Sequence, residues 1–411
     1  MNISEYFNEP HTRWEKVELS SCFELQNGIN FSSDQKGKGL LVLDVLNMFS
    51  DDLYVRTDQL YRVDVKVAED RLLRPGDILF VRSSVKESGV GWPAIFKGHD
   101  EPVTNCGFLI RARQTSPKLE PRFLVHYLRQ NSVRAQIISR ARKVAITNIN
   151  QERLGSLKIP LPPLEEQRRI ANILDRAEAL KAKRRAALTQ LDELTQSIFI
   201  DIFGGHAMKE WPVTTIASLA HPGKGSIRTG PFGSQLLHSE FIDEGIAVLG
   251  IDNAVANEFQ WGARRFISEA KYKELKRYTV RPGDVLITIM GTCGRCAVVP
   301  DDIPIAINTK HLCCITLNQE KCIPIYLHSY FLLHPIAQRY LVQTAKGAIM
   351  AGLNMEIIKK MPIPLPPLIL QREFASRVEA INKLKIAQKI SLEELDELFA
   401  SLQYRAFRGE L

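Results

Sequence analysis

Between residues 164 and 203, apolar side chains recur in alternating steps of three and four. They are Ile170, Ile173, Ala177, Leu180, Ala187, Leu191, Leu194 and Ile198, with Arg184 filling the one skipped slot. That spacing keeps one helix face apolar over many turns and predicts a heptad seam. The pattern returns as Phe374, Ile381, Leu384, Leu395, Leu398 and Leu402, with Gln388 in the slot of Arg184 and Ser391 in that of Ala187. A helix over Leu164 to Phe203 would be about 60 Å long at 1.5 Å per residue. Two such helices packed antiparallel would place their weakened mid-helix slots opposite each other. Ahead of each helix stands the same strap, IPLPPL, at 159–164 and 363–368. Proline cannot continue a helix, so each strap predicts a rigid extended segment ending at a helix start.

The repeat is exact in length over the straps and helices. Pro160 falls on Pro364, an offset of 204 residues, and Leu191-Asp192-Glu193-Leu194 then falls on Leu395-Asp396-Glu397-Leu398. Upstream the match loosens. Arg74-Pro75-Gly76-Asp77 answers Arg281-Pro282-Gly283-Asp284 at 207, and Trp14 answers Trp211 at 197. Both RPGD blocks read as tight turns feeding short strands, ILFVRSS and VLITIMG. Helices are expected over 121–138 and 324–342. The predicted fold is α+β: two α/β-mixed globular modules with mainly antiparallel or mixed sheets, joined by two long antiparallel helices in a pseudo-two-fold repeat. The expected boundaries are 1–158 for the first module, 159–204 for its strap and helix, 205–362 for the second module, and 363–411 for the second strap and helix.

Composition narrows the partners. Lys and Arg number 54 against 46 Asp and Glu, a net charge of +8 that leans toward a polyanion. Seven cysteines without framework spacing read as reduced thiols. The opening MNISEYFNEPHTRWEKVEL lacks a basic-then-apolar leader, and no apolar run reaches the ~18–20 residues of a membrane span, so a cytoplasmic setting is expected.

Candidate chemistry is sparse. Cys293 and Cys296 with Cys313 and Cys314 could be read as a zinc site, but the second pair is adjacent rather than spaced. Asp52 with Asp64 and Lys66 loosely mimics a metal-nuclease set and leaves a stand-alone nuclease as one alternative. A coiled-coil scaffold binding no DNA is another. The run Lys181, Lys183, Arg184, Arg185 is either a solvated face or a contact surface. There is no phosphate-binding GxxxxGK[ST] loop, no (N/D)PP(Y/F) methyltransferase motif and no GxSxG elbow, so no catalytic set emerges.

Two variable modules, each followed by a PLPPLxxQ strap and a long helix, resemble the specificity subunit of type I restriction–modification systems. The second module adds Thr229-Gly230-Pro231-Phe232-Gly233-Ser234, Val248 to Asn253, Gly283-Asp284, and Gly291-Thr292-Cys293-Gly294-Arg295, an order similar to the family's target-recognition domains. The first module departs from it, reading Asn27-Gly28-Ile29-Asn30-Phe31-Ser32-Ser33 in place of GPFGS.

The resemblance implies a non-catalytic reader of double-stranded DNA. Each module would bind half of a bipartite site, and the helices would set the gap. Two methyltransferase (M) subunits would dock on the helices, and restriction/translocase (R) subunits would join them. S-adenosylmethionine, ATP and Mg would belong to those partners, with no cofactor or metal on this chain. Base readers are expected among polar and basic residues on loops. In the first module these are Lys36, Lys38, Arg82, Ser83, Ser84, Lys86, Arg142 and Lys143. In the second they are Gly230, Phe232, Gly233, Ser234, Gln235, Arg295, Lys310, His311 and Lys346. The seam or partner surface is assigned to Ile170, Ile173, Leu180, Leu191, Leu194, Ile198, Phe374, Ile381, Leu384, Leu395, Leu398 and Leu402.

Overall fold

The computed structural model describes residues 14–50, 52–142, 146–205, 210–344 and 353–411. The chain forms two compact units, one of residues up to Ala187 with Gln388–Leu411, the other of Leu188–Ala387. Each unit contains a head and one segment of each long helix, Leu164–Phe203 and Leu368–Ala406.

The first head holds an antiparallel sheet in the order Phe23–Asn27, Leu109–Gln114, Ile78–Val81, Pro93–Ile95. A second sheet runs Tyr61–Val63, Lys36–Leu43, Val103–Asn105, its last pair parallel. The second head repeats this plan. Its sheets run Ile227–Thr229, Leu312–Ile315, Val285–Thr288, Cys296–Val298, and Phe266–Ile267, Ile246–Leu249, Ala306–Asn308, Thr279–Val280. Again a parallel pair, Ile246–Leu249 with Ala306–Asn308, makes the sheet mixed.

The strands after the RPGD turns are buried at every position because both faces are covered. Ile78 and Phe80 enter one core cluster, Leu79 and Val81 another. Each turn's aspartate is buried against an arginine. Asp77 takes a two-pronged bond from Arg113 (3.0 and 2.7 Å), whereas Asp284 takes one from Arg228 (2.8 Å) on a different strand.

The expected helix 121–138 is two helices, Pro121–Leu128 and Asn131–Arg140, because Gln130 is extended at ψ 140°. The expected 324–342 also divides, into Pro324–Leu333 and Pro335–Thr344. Pro335 forces His334 to an extended ψ of 130° and ends the first piece.

The straps are sheet edges. Lys158–Pro160 pairs antiparallel with Lys16–Glu18, and Pro362–Pro364 with Val213–Thr215. Ile159 and Ile363 are buried in the heads. Three residues past each PPL stands a fully buried glutamine. Gln167 Oε1 accepts from the Glu120 N–H (2.8 Å), and its Nε2 donates to the carbonyls of Lys118 (2.9 Å) and Pro162 (2.8 Å). Gln371 does the same with Ile323 N–H (2.9 Å), Lys321 (3.1 Å) and Pro366 (2.9 Å). One amide thus joins long helix, strap and head.

Within each unit the helix segments run antiparallel. Ile170, Leu174, Phe123 and Phe407 share one cluster in the first unit, and Phe199, Phe203, Phe374 and Val378 share another in the second. The inward positions differ from the expected seam at four of its twelve residues. Ile170, Ala177, Phe374 and Ile381 lie inward and buried, and Leu191, Ile198, Leu395 and Leu402 lie inward and half-buried. Leu180, Leu194, Leu384 and Leu398 do not. They are between 45% and 54% exposed, and Ile173 is half-buried.

The inward slots one residue on are Leu174, Lys181, Leu188 and Thr195, then Val378, Lys385, Leu392 and Phe399. A helix turn can be completed in three or four residues, and apolarity alone favoured the leucines. The structure instead buries lysine stems and lets the ammonium tips reach out. Lys181 pairs with Asp396 (2.6 Å) in the first unit, and Lys385 pairs with Asp192 in the second. Arg184 Nη1 donates to Gln388 Oε1 (2.7 Å), so the two skipped slots meet. The basic run is thereby divided. Lys181 and Arg184 are spent inside, while Lys183 is exposed.

Replacing Gln371 by alanine would leave one backbone N–H and two carbonyls, all at least part-buried, without their amide partner. It should destabilise the second unit by about 2–3 kcal/mol, read from the shift of its urea unfolding transition. A shift below ~0.5 kcal/mol would show that the amide is dispensable.

Candidate nucleic-acid interface

In the first head, loops leaving four strands converge at one edge. Gly28 donates its N–H to Leu109 O (3.0 Å) and lies so close to the next loop that a Cβ would stand 2.1 Å from Cys106 O. Asp44 caps the turn Val45–Met48, accepting from Val45 N–H (2.6 Å), and Asn47 Oδ1 accepts the Asp44 N–H (2.9 Å). The Cys106 thiol (3.1 Å) and Tyr61 hydroxyl (3.2 Å) donate to the same aspartate. Burial, with Asp44 alongside, pushes both their pKa values up.

Arg82 reaches Gly107 O (3.2 Å), Ser83 Oγ donates to Asn148 (2.5 Å), and Ser84 Oγ to Lys86 O (2.7 Å). These three expected readers therefore shape the loop. Lys38 is paired with Asp64 (3.1 Å), and Lys36 rests 5.1 Å from the Tyr61 ring. Lys86 and Arg142 are exposed, and Lys143 lies outside the described residues. Three apolar side chains are also held open at this edge: Leu46, Val85 and Phe108.

In the second head, Gly230 makes the same close approach, with a Cβ position 1.9 Å from Asn308 O. It therefore matches Gly28, which supplies the counterpart that the first module's missing GPFGS obscured. Gly233 needs its left-handed φ of 57° to turn the loop. Gln235 is a brace, accepting from Phe232 N–H (3.3 Å) and Tyr278 O–H (3.0 Å), while Phe232 and Ser234 are exposed.

Behind them opens a cavity of about 520 Å³. It brings together Gly233, Lys310 and His311 with three residues not anticipated, His238, Arg264 and Arg265. Arg265 is ion-paired with Asp252, and Arg264 lies 5.6 Å from the Trp261 ring. Burial, with Lys310 and Arg265 adding positive charge, lowers the pKa of His311 and favours its neutral form. The cluster Trp261-Gly-Ala-Arg264-Arg265 was visible as an aromatic beside paired cations. Arg295 is exposed on the next turn, and Lys346 lies outside the described residues.

The loop bearing Trp261 and the arginines is anchored at its base. Asn257 takes a left-handed φ of 60°, and its side chain accepts from Cys296 N–H (3.2 Å). His328 Nε2 donates to Asn257 O (2.8 Å) and Cys296 O (3.1 Å). Glu258 lies 3.8 Å from Lys385 of the long helix.

The alternative sites do not assemble. Cys313 and Cys314 are successive in a strand and enter opposite cores, so the four thiols cannot converge on a metal. Asp52 instead braces its own turn, accepting from Ser50 O–H (2.7 Å) and Tyr54 N–H (2.8 Å), and Asp64 faces Lys38. Among the described residues no cluster of three or more His, Cys, Asp or Glu could hold a metal ion. No described helix is long and apolar enough to cross a membrane.

Comparison with known proteins agrees with this architecture. The family model described as the type I restriction modification DNA specificity domain matches residues 12–190 and 243–395. The type I restriction enzyme EcoBI specificity subunit of Escherichia coli is 23% identical over 98% of this chain and 87% of its own length. The putative type I restriction enzyme MjaX specificity subunit of Methanocaldococcus jannaschii is 26% identical over 97% and 93%. Among solved structures, the S subunit of a type I restriction–modification system from M. genitalium covers 98% of this chain and 97% of its own, with 16% identity and a TM-score of 0.58.

Burial lowers the pKa values of His328 and His334, both in the second unit. A histidine whose folded pKa falls below its unfolded value of ~6.5 stabilises the fold above that pH and ceases to do so as pH drops through it. The second unit should therefore unfold at lower urea at pH 5.5 than at pH 7.5, and His328→Gln should flatten that dependence. An unchanged pH slope in the variant would show that His328 does not carry it.

Proposed function

The chain belongs to the type I restriction–modification DNA specificity family, whose subunits supply address rather than catalysis, and we propose that each head reads one half of a bipartite DNA site. The observation that carries this is the distribution of sameness. Strap, glutamine clamp and inward helix face are matched between units, whereas the loops at the strand ends keep their positions and change their chemistry. Readout would come from the outward members of the expected set, Lys36, Lys86 and Arg142 in the first head and Phe232, Ser234, Arg295, Lys310 and His311 in the second, with Arg264 added. Gly28 and Gly230 let the loop backbone pack closely. The divisions 1–158, 159–204, 205–362 and 363–411 then correspond to reader, strap with helix, reader, strap with helix.

Two methyltransferase subunits would dock on the long helices, and the outward leucines Leu180, Leu194, Leu384 and Leu398 offer apolar area for them. Translocase–nuclease subunits would complete the complex in the cytoplasm. S-adenosylmethionine, ATP and Mg would be held by those partners, which would methylate adenine or cut.

Two experiments test this. Co-expression with the methyltransferase subunit and genome-wide mapping of methylated adenine should give a two-part motif with a fixed gap. Exchanging residues 1–157 for those of another family member should change one half alone. Random methylation, or a change in both halves, would refute independent reading. For the docking face, Leu180→Glu with Leu384→Glu should leave the fold intact, since both side chains point outward, and should cut recovery of the methyltransferase in co-purification at least tenfold. Undiminished recovery would place the dock elsewhere.

A further inference from the structure

The two heads present different chemistry from matched positions, and hydrogen bonds fix the matching. In the first head Asp44 N–H donates to Asn47 Oδ1 (2.9 Å), and in the second Gly250 N–H donates to Asn253 Oδ1 (2.8 Å). Leu46 therefore corresponds to Asp252. Likewise Arg82 N–H donates to Phe108 O (2.7 Å) and Ile289 N–H to His311 O (2.9 Å), so Phe108 corresponds to His311. Counting from the RPGD turns, Val85 corresponds to Thr292. One head offers Leu46, Val85 and Phe108 where the other offers an arginine-paired aspartate, a threonine and a neutral-leaning histidine.

Leu46 is 84% exposed, Val85 85% and Phe108 57%. Three apolar side chains held open on neighbouring loops lose hydrophobic stabilisation unless something covers them. Their loops are braced rather than slack. Asp44 and Asn47 lock the turn under Leu46, and Cys106 and Arg82 bond across to it and to Gly107. Lys86, beside Val85 in the chain, is exposed at the same edge. The apolar feature that a duplex displays in its major groove is the 5-methyl group of thymine.

We propose that Leu46, Val85 and Phe108 are specificity-determining residues that read thymine methyl groups, so that the half-site of the first head is selected by apolar contact. The half-site of the second head is selected through hydrogen bonds from Arg264 and His311 to purine edges. This rests on the bipartite reading above and deepens it.

The test removes the methyl and nothing else. Once the motif is mapped, and the half governed by residues 1–157 identified by exchange, duplexes are made with deoxyuridine replacing thymine in that half. Binding is measured with the full chain assembled with its methyltransferase subunits. Each methyl read should cost about threefold to fourfold in affinity when removed, from ~0.8 kcal/mol per buried carbon group. Phe108→Ala should abolish the uracil penalty at one position while leaving the others and the second half untouched. In the second half, 7-deazaguanine should weaken binding.

Uracil tolerated throughout the first half would overturn the inference. So would a Phe108→Ala variant that binds every duplex worse while still paying the full uracil penalty, which would mark a wedge or a structural role. Failure to find any two-part motif would instead overturn the underlying reading, and the mapping step separates the two.

Discussion

A buried side-chain amide joins head to helix in each unit, and the rest of the architecture depends on it. Gln167 and Gln371, themselves fully buried, each satisfy a backbone donor and two backbone acceptors. An unmade buried bond costs ~1–3 kcal/mol, so the strap, the long-helix start and the segment entering Pro121–Leu128 or Pro324–Leu333 are held in one geometry. Loops elsewhere in the head can change without moving the helix. That separation is what lets a recognition surface diverge while the framework stays the same.

The framework shows the same economy along the helices. Lys181 and Lys385 occupy inward slots, yet both ammonium groups find carboxylates on the facing segment. A leucine in those slots would pack without choosing a register. A lysine that must reach an aspartate does choose one, at some cost in burial. Arg184 and Gln388 add a hydrogen bond at the paired weak slots. The leucines displaced outward are then available to partners.

The repeat, straps, helix extents and RPGD turns were legible because each is a local constraint written in residue type: proline, glycine, and a period of three and four. A third of the seam was not. Leu180 is more apolar than Lys181, and only the packed partner reveals that a lysine stem lies inward. The candidate edge carries fewer free polar side chains than the sequence suggested. Arg82, Ser83 and Ser84 sit at the expected edge but are consumed by internal bonds that no sequence pattern announces. Phe108 and Leu46 went unnoticed because an exposed apolar residue looks, in sequence, like a core one. Gly28 lacked the GPFGS signature, and its kinship with Gly230 emerged from a shared close approach of backbone.

The central claim is that base identity resides in the loops and that the gap resides in the clamped helices. The most direct measurement is a map of methylated adenines for a variant carrying a seven-residue insertion, one full heptad, in both long helices. The account predicts that both half-site sequences persist and that the number of bases between them increases. An unchanged gap, or altered bases in either half, would contradict it.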